Sequence, residues 1–128
     1  MYLDYAGLRV TRLAPAIRFF ERGLGLVVRS RGTMGHGGKW VLLEDPRSHQ
    51  RVELNYYPPR TRYWTPFVPG EGLDHLGVRV GDLEAAGRKL TAAGARRVSE
   101  IRSRGAPVVV YYEGPDRIWI ELILSRTE

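Results

Sequence analysis

The 128-residue sequence contains no cysteine. Disulfide bonds and thiolate metal ligands are therefore excluded, and any metal ion would have to be bound by His, Asp or Glu. The chain has only three histidines. Carboxylates would have to supply a large part of any metal site.

Long hydrophobic runs are also lacking. No apolar stretch approaches the roughly 20 residues that cross a bilayer. The N-terminal sequence MYLDYAGLRV has neither the charged start nor the apolar middle and cleavage site of a signal peptide. We therefore expect a cytoplasmic protein with no membrane partner. The composition, 43% hydrophobic and 27% charged, is typical of a globular domain.

Clustered charge of one sign is scarce, although the formal net charge is +6. The basic residues are scattered, and their tightest groups are RSR at 29–31, RR at 96–97 and RSR at 102–104. No helix-turn-helix, zinc-finger or RNP-like sequence pattern accompanies them. This distribution indicates a solvated basic surface, and we expect no nucleic-acid partner.

The sequence does contain an internal repeat. Residues 3–13, LDYAGLRVTRL, and residues 73–83, LDHLGVRVGDL, share six identical positions at an offset of 70. In each copy this strand-like run leads into a one-sided apolar helical pattern and then into three further strand-like runs: LVVRSR, KWVLLE and RVELNYY in the first copy, and ARRVSEIRS, PVVVYYE and IWIELIL in the second. The pattern predicts an α+β fold of two βαβββ modules, residues 1–57 and 73–128.

A proline-rich connector, residues 58–72, joins the two predicted modules. Its four prolines make it a poor helix or central strand, so we expect an extended segment. The connector carries Tyr63, Trp64 and Phe67. These aromatic side chains either cover a cavity or only anchor the connector to the core.

Strand alternation predicts which side chains lie on the sheet face opposite the helices. In the first strand of each copy these are Tyr5, Gly7 and Arg9, and His75, Gly77 and Arg79. In the last strand they are Glu53, Asn55, Tyr57, Trp119 and Glu121. On a face open to solvent, all of these would be ordinary surface residues. The two large aromatic residues favour a partly enclosed cavity instead, because such side chains are usually covered.

Several motifs resemble the vicinal-oxygen-chelate superfamily, the group of glyoxalase I, bleomycin-resistance proteins and extradiol dioxygenases. The matching stretches are AIRFFERGLGL, VELNYYP, LDHLGVRVGDLEAA and GPDRIWIEL, the last where the family usually has Asp-Pro-Asp-Gly before Ile-Glu. Glyoxalase I-like members are the most similar. The resemblance implies two curved sheets around a cavity, with the helices on the outside.

The resemblance also implies a metal site. The four metal-site positions of the family correspond to Tyr5, Glu53, His75 and Glu121. The last three suit a divalent ion such as Zn, Ni, Fe, Mn or Co. Tyr5 departs from glyoxalase I, which usually has His or Gln there. A neutral phenol is a poor ligand, so the resemblance suggests that Tyr5 donates a hydrogen bond or shapes the cavity.

The activity implied is that of a lyase or isomerase acting on a small substrate with two adjacent oxygens, through an enediolate. Glu121 is the first choice for the base and Glu53 the second. Arg9 and Arg79 are implied as carboxylate anchors, although a surface or structural role is equally open for both. Asn55, Tyr57 and Trp119 would complete the substrate cavity.

Two other functions fit the same resemblance. A non-catalytic protein that binds or sequesters a small molecule would need no metal, and the departure at Tyr5 is consistent with it. A ring-cleaving dioxygenase would need two histidines and one carboxylate, and only His75 lies on a predicted strand. The resemblance also implies a homodimer, because family members of this length often assemble in this way, and it leaves open whether the chains exchange modules.

Overall fold

The computed structural model describes residues 5–61, 64–73 and 75–125. The first unit consists of β1 (Ala6–Arg9), α1 (Leu13–Leu24), β2 (Val27–Thr33), β3 (Lys39–Glu44) and β4 (Arg51–Tyr56). The second unit consists of β5 (His75–Val80), α2 (Leu83–Ala92), β6 (Arg96–Ser103), β7 (Ala106–Glu113) and β8 (Trp119–Leu124). The predicted βαβββ repeat is confirmed. None of the helices in these ranges is long and apolar enough to span a membrane.

Each unit forms one four-stranded sheet, in the order β1-β4-β3-β2 or β5-β8-β7-β6. The first and last strands of a unit are parallel neighbours, and the other pairs are antiparallel. Parallel neighbours need a long connection, which here is the rest of the unit. Gly7 lies opposite Glu53, and Gly77 lies opposite Glu121. The chain therefore brings the two strands with the predicted site residues side by side.

Each helix covers one face of its sheet, and we call the other face the open face. Asp82 caps α2, because its side chain accepts a hydrogen bond of 3.0 Å from the backbone N–H of Ala85. α1 ends at Gly25, whose φ of 71° is the left-handed conformation that closes many helices. These residues mark the start of α2 and the end of α1.

The hydrophobic core is continuous between the units. Leu8 and Leu54 of the first sheet and Ile120 of the second are completely buried under the helices, which confirms the predicted alternation. The same alternation predicts that Ala6, two residues before Leu8, lies under the helix, but Ala6 is exposed at the start of β1. The helices approach closely at Gly23, where an added Cβ would lie 3.2 Å from the Cβ of Ala93.

A polar clamp joins the units at the turn before β8. The carboxylate of Asp116 accepts hydrogen bonds from the backbone N–H of Thr11 at 3.0 Å and from its hydroxyl at 2.7 Å. Asp116 and the next residue, Arg117, have φ values of 54° and 59°. Left-handed backbone is tolerated by Asp but strained for Arg.

Replacing Arg117 with Gly is expected to raise the free energy of unfolding by about 1 kcal/mol, because glycine adopts positive φ without the Cβ clash. Chemical denaturation would measure the change. Arg117→Ala is the matched control, since it removes the same charge but keeps the Cβ. A gain in Arg117→Ala equal to that in Arg117→Gly would show that the side chain, and not the backbone angle, is the cause.

Candidate functional site

The open face of the second sheet brings together His75 and Glu121. His75 begins β5 and Glu121 lies in the parallel neighbour β8. The Nε2 of His75 is 3.4 Å from the Oε2 of Glu121, and their side chains are 46% and 21% exposed. Gly77, opposite Glu121, has no side chain to fill the space beside the carboxylate. An imidazole and a carboxylate therefore share an accessible position.

Tyr111 holds the other oxygen of this carboxylate. It lies opposite Glu121 in the antiparallel pair of β7 and β8, and its hydroxyl donates a hydrogen bond of 3.3 Å to the Oε1 of Glu121. Burial and then the negative charge of Glu121 raise the pKa of Tyr111, so the phenol stays protonated and remains a donor at neutral pH.

Sequence reasoning did not identify Tyr111. Alternation within PVVVYYE places Tyr111 and Tyr112 on opposite faces but does not say which one meets Glu121. The register across the Gly114–Ile118 turn decides it, because Gly114 and Ile118 are joined by a backbone hydrogen bond of 2.8 Å. Aligning the sequences of β7 and β8 as an antiparallel pair could have identified Tyr111 as the partner of Glu121.

The side-chain nitrogen of His75 and the carboxylate oxygens of Glu121 are suitable ligand atoms for a divalent metal. Imidazole nitrogen and carboxylate oxygen bind Zn at about 2.0–2.2 Å, so two ligands in tetrahedral positions lie about 3.4 Å apart. The two atoms already have this separation. Tyr111 supplies the outer hydrogen bond that typically orients a ligand carboxylate. These residues therefore fit as two ligands of a metal site.

The third predicted ligand lies in the first unit. Glu53 is half-buried on β4, opposite Gly7, and Tyr5 precedes β1 with 47% of its surface exposed. Among residues 5–61, 64–73 and 75–125, no group of three His, Asp or Glu side chains lies close enough to hold a metal. A single chain therefore does not bring Glu53 to His75 and Glu121.

The open face of the first sheet carries a separate cavity of about 330 Å³. Arg9 lies in it, and its guanidinium donates to the hydroxyl of Thr65 at 2.9 Å and to the Thr65 carbonyl at 2.5 Å. The Cζ of Arg9 is 5.5 Å from the ring centre of Phe67 and 5.9 Å from that of Tyr57. Asn55 completes the polar lining. Thr65 of the connector thus holds the guanidinium of Arg9 at the wall of this cavity.

The predicted substrate-binding residues are accordingly divided. Arg9, Asn55 and Tyr57 line the cavity of the first unit, whereas Arg79 and Trp119 belong to the second sheet. Of the connector aromatic residues, Phe67 lines the cavity and Trp64 is exposed, while Tyr63 lies outside the described residues.

One further carboxylate on the open face of the first sheet, Glu44, is only 6% exposed. It accepts hydrogen bonds from the Nε of Arg51 at 2.9 Å and from the Nε of Arg29 at 3.0 Å. Arg51 contributes most to lowering the pKa of Glu44, Arg29 adds to it, and burial opposes both. Glu44 is therefore ionised and bound by two arginines, which leaves it poorly suited to act as a base or a ligand.

Comparison with protein families gives a match that covers most of the chain. Residues 2–122 match the model of the Glyoxalase/Bleomycin resistance protein/Dioxygenase superfamily. The chain belongs to this superfamily. A search of curated proteins found no match.

Several solved structures have the same fold. A glyoxalase family protein from Bacillus cereus is 23% identical, with a TM-score of 0.75 over 97% of this chain and 93% of that one. Glyoxalase I from Leishmania major is 21% identical, with a TM-score of 0.74 over 97% and 86%. An antibiotic-binding protein from Streptomyces is 18% identical, with a TM-score of 0.70 over 97% and 95%. The superfamily fold thus occurs in both an enzyme and a binding protein.

Proposed function

We propose that this superfamily member is a glyoxalase I-like, metal-dependent lyase or isomerase that acts on a small substrate with two adjacent oxygens. The observation that carries the proposal is the accessible pair of His75 and Glu121, 3.4 Å apart and held by Tyr111. A surface ion pair would not need a glycine opposite it or a half-buried phenol that donates to it. The arrangement supports a site that receives a ligand.

The proposed site is completed by a second copy of the chain. Each chain has one Glu53 and one pair of His75 and Glu121, on open faces that a single chain does not join. β1 and β5 are the terminal strands of their sheets, and neither pairs with a further strand among the described residues. In a homodimer that joins the first unit of one chain to the second unit of the other, two complete sites result. Each would contain the partner's Glu53.

Each residue has a defined role in this proposal. A divalent metal bound by Glu53, His75 and Glu121 would act as a Lewis acid toward the two substrate oxygens. Glu121 takes the proton from the neighbouring carbon, and Tyr111 restrains its other oxygen throughout. Arg9 binds a carboxylate of the substrate, because its guanidinium is fixed at the cavity wall and carries a permanent positive charge.

The direct test is metal analysis of protein purified without added metal, followed by activity on the hemithioacetal of glutathione and methylglyoxal. His75→Ala is expected to lower the metal content at least 10-fold, because the site loses one of three ligands. His49→Ala is the matched control, since His49 is an exposed loop residue. Stoichiometric metal in the His75→Ala protein would refute the ligand assignment.

A second candidate is a non-catalytic protein that binds a small molecule. Two points favour it: the resemblance to glyoxalase I implies that Tyr5 replaces a metal ligand, and the antibiotic-binding protein from Streptomyces has the same fold over 97% of this chain. In a binding protein of this kind, the cavity with Arg9, Tyr57 and Phe67 would hold the ligand without chemistry.

Tyr5→Phe separates the two candidates. In an enzyme, the hydroxyl donates a hydrogen bond to the substrate oxygen as charge develops, so its loss is expected to lower kcat about 10-fold while the metal is retained. In a binding protein, the ring alone contributes, and ligand affinity stays the same. Steady-state kinetics and metal analysis of the same preparation measure both. Unchanged kcat in an active preparation would exclude the role given to the hydroxyl.

A further inference from the structure

A second cavity, of about 960 Å³, lies between α2 and the sheet of the second unit. Its sheet side is formed by Val110 and Tyr112, which alternate along β7 with Tyr111. Because Tyr111 contacts Glu121 on the open face, Val110 and Tyr112 face the opposite way, under the helix. The cavity is therefore separated from the candidate metal site by the thickness of the sheet.

The internal repeat shows what is unusual about this region. Gly87 of α2 corresponds to Ile17 of α1 at the offset of 70. Tyr112 corresponds to Leu43, because each lies opposite the residue that precedes the glutamate of the last strand. The first unit thus packs two branched aliphatic side chains here, and Leu43 is completely buried. The second unit has a glycine and a hydroxyl-bearing ring at the same positions.

Gly87 leaves room for the hydroxyl of Tyr112. A Cβ on residue 87 would lie 2.2 Å from that oxygen, so any other residue would displace the ring. Tyr112 is only 5% exposed, yet its hydroxyl makes no hydrogen bond to a residue in the described ranges and opens into the cavity. No side-chain polar atom of the described residues is both buried and without a hydrogen-bond partner, so this hydroxyl is accessible from the cavity and can form a hydrogen bond with a group that enters it.

Charge at the rim of the cavity is balanced. Asp82 caps α2, and Glu84 forms an ion pair of 3.4 Å with Arg88. Arg97, the fourth charged residue of the lining, is paired with Glu100. Two acidic and two basic side chains therefore surround an apolar interior, which does not favour a charged ligand.

We propose that this cavity binds a small uncharged ring compound that carries one hydroxyl or carbonyl oxygen. Its apolar ring lies between Leu83 and Val110, and its oxygen forms a hydrogen bond with the hydroxyl of Tyr112. The site lies on the face of the sheet away from His75 and Glu121, so it does not depend on the function proposed above.

A pair of matched probes, 1-naphthol and naphthalene, tests the proposal. Titrations of ¹⁵N-labelled protein are expected to shift the amide signals of Gly87 and Tyr112 with both compounds, and naphthol is expected to bind more tightly. Tyr112→Phe removes only the hydroxyl. It should weaken naphthol binding by about 3- to 10-fold, the effect of one hydrogen bond, and leave naphthalene binding unchanged.

Two helix variants locate the site. Ala92 lines the cavity, so Ala92→Phe is expected to block both probes. Ala85 is exposed on α2 but does not belong to the lining, so Ala85→Phe should bind them normally and serves as the control. Equal naphthol affinity in the wild-type and Tyr112→Phe proteins would overturn the proposal. Shifts confined to the surroundings of His75 and Trp119 would also overturn it.

Discussion

Two variants that each lack metal and activity, Glu53→Ala and His75→Ala, are expected to recover both when they are mixed. In the proposed dimer, the Glu53→Ala chain still provides an intact His75, and the His75→Ala chain still provides an intact Glu53. One of the two sites in a mixed dimer is therefore complete, and the other lacks both residues. Random exchange makes about half of the dimers mixed, so about a quarter of the sites should function.

Metal content and turnover of the mixture, measured after subunit exchange in mild denaturant, would test this. Mixing Glu121→Ala with His75→Ala is the control: both substitutions lie in the second unit, so no mixed dimer contains a complete site. Failure of the first pair to recover any metal would contradict a site shared between chains. A monomeric mass by light scattering at micromolar protein would exclude the dimer itself.

The fold could be predicted because its signals are local and occur twice. Alternation in strands and one-sided helical patterns depend only on which face of an element is buried, and the offset of 70 allowed each half to support the other. The strand Lys39–Glu44 has the predicted bounds. Ala6 was misplaced because alternation assumes that the whole strand is covered on one face, whereas the first residue of β1 is exposed.

The candidate site could be predicted only in part. Strand alternation places Glu53 and Glu121 on the open faces, but it does not show whether the two open faces line one cavity. That depends on how the units pack, and the packing is set by contacts such as that of Gly23 with Ala93, which no sequence periodicity reports. Tyr111 was missed for a related reason, since its role depends on the register between β7 and β8.

Roles within the ligand set can be separated by conservative substitution of the two glutamates. Glu121→Gln keeps an oxygen that can face a metal but removes the basic carboxylate. We expect kcat at saturating metal to fall by roughly 100- to 10,000-fold, the usual contribution of a general base. Glu53→Gln should mainly weaken metal binding and lose much less turnover once the metal is saturating.

The reason to assign the base to Glu121 lies in its surroundings. Tyr111 donates to Oε1 at 3.3 Å, and Oε2 lies 3.4 Å from the Nε2 of His75, so the carboxylate is held from two sides while 21% of its side chain remains accessible. A base that does not have to reorient reaches the substrate carbon at lower cost. Tyr111→Phe should therefore lower kcat about 10-fold and leave KM nearly unchanged, whereas Tyr112→Phe, the same change on the opposite face of β7, should alter neither. If Glu53→Gln, fully loaded with metal, loses turnover while Glu121→Gln retains it, the base is the partner's Glu53, and the hydrogen bond from Tyr111 serves only to orient a ligand.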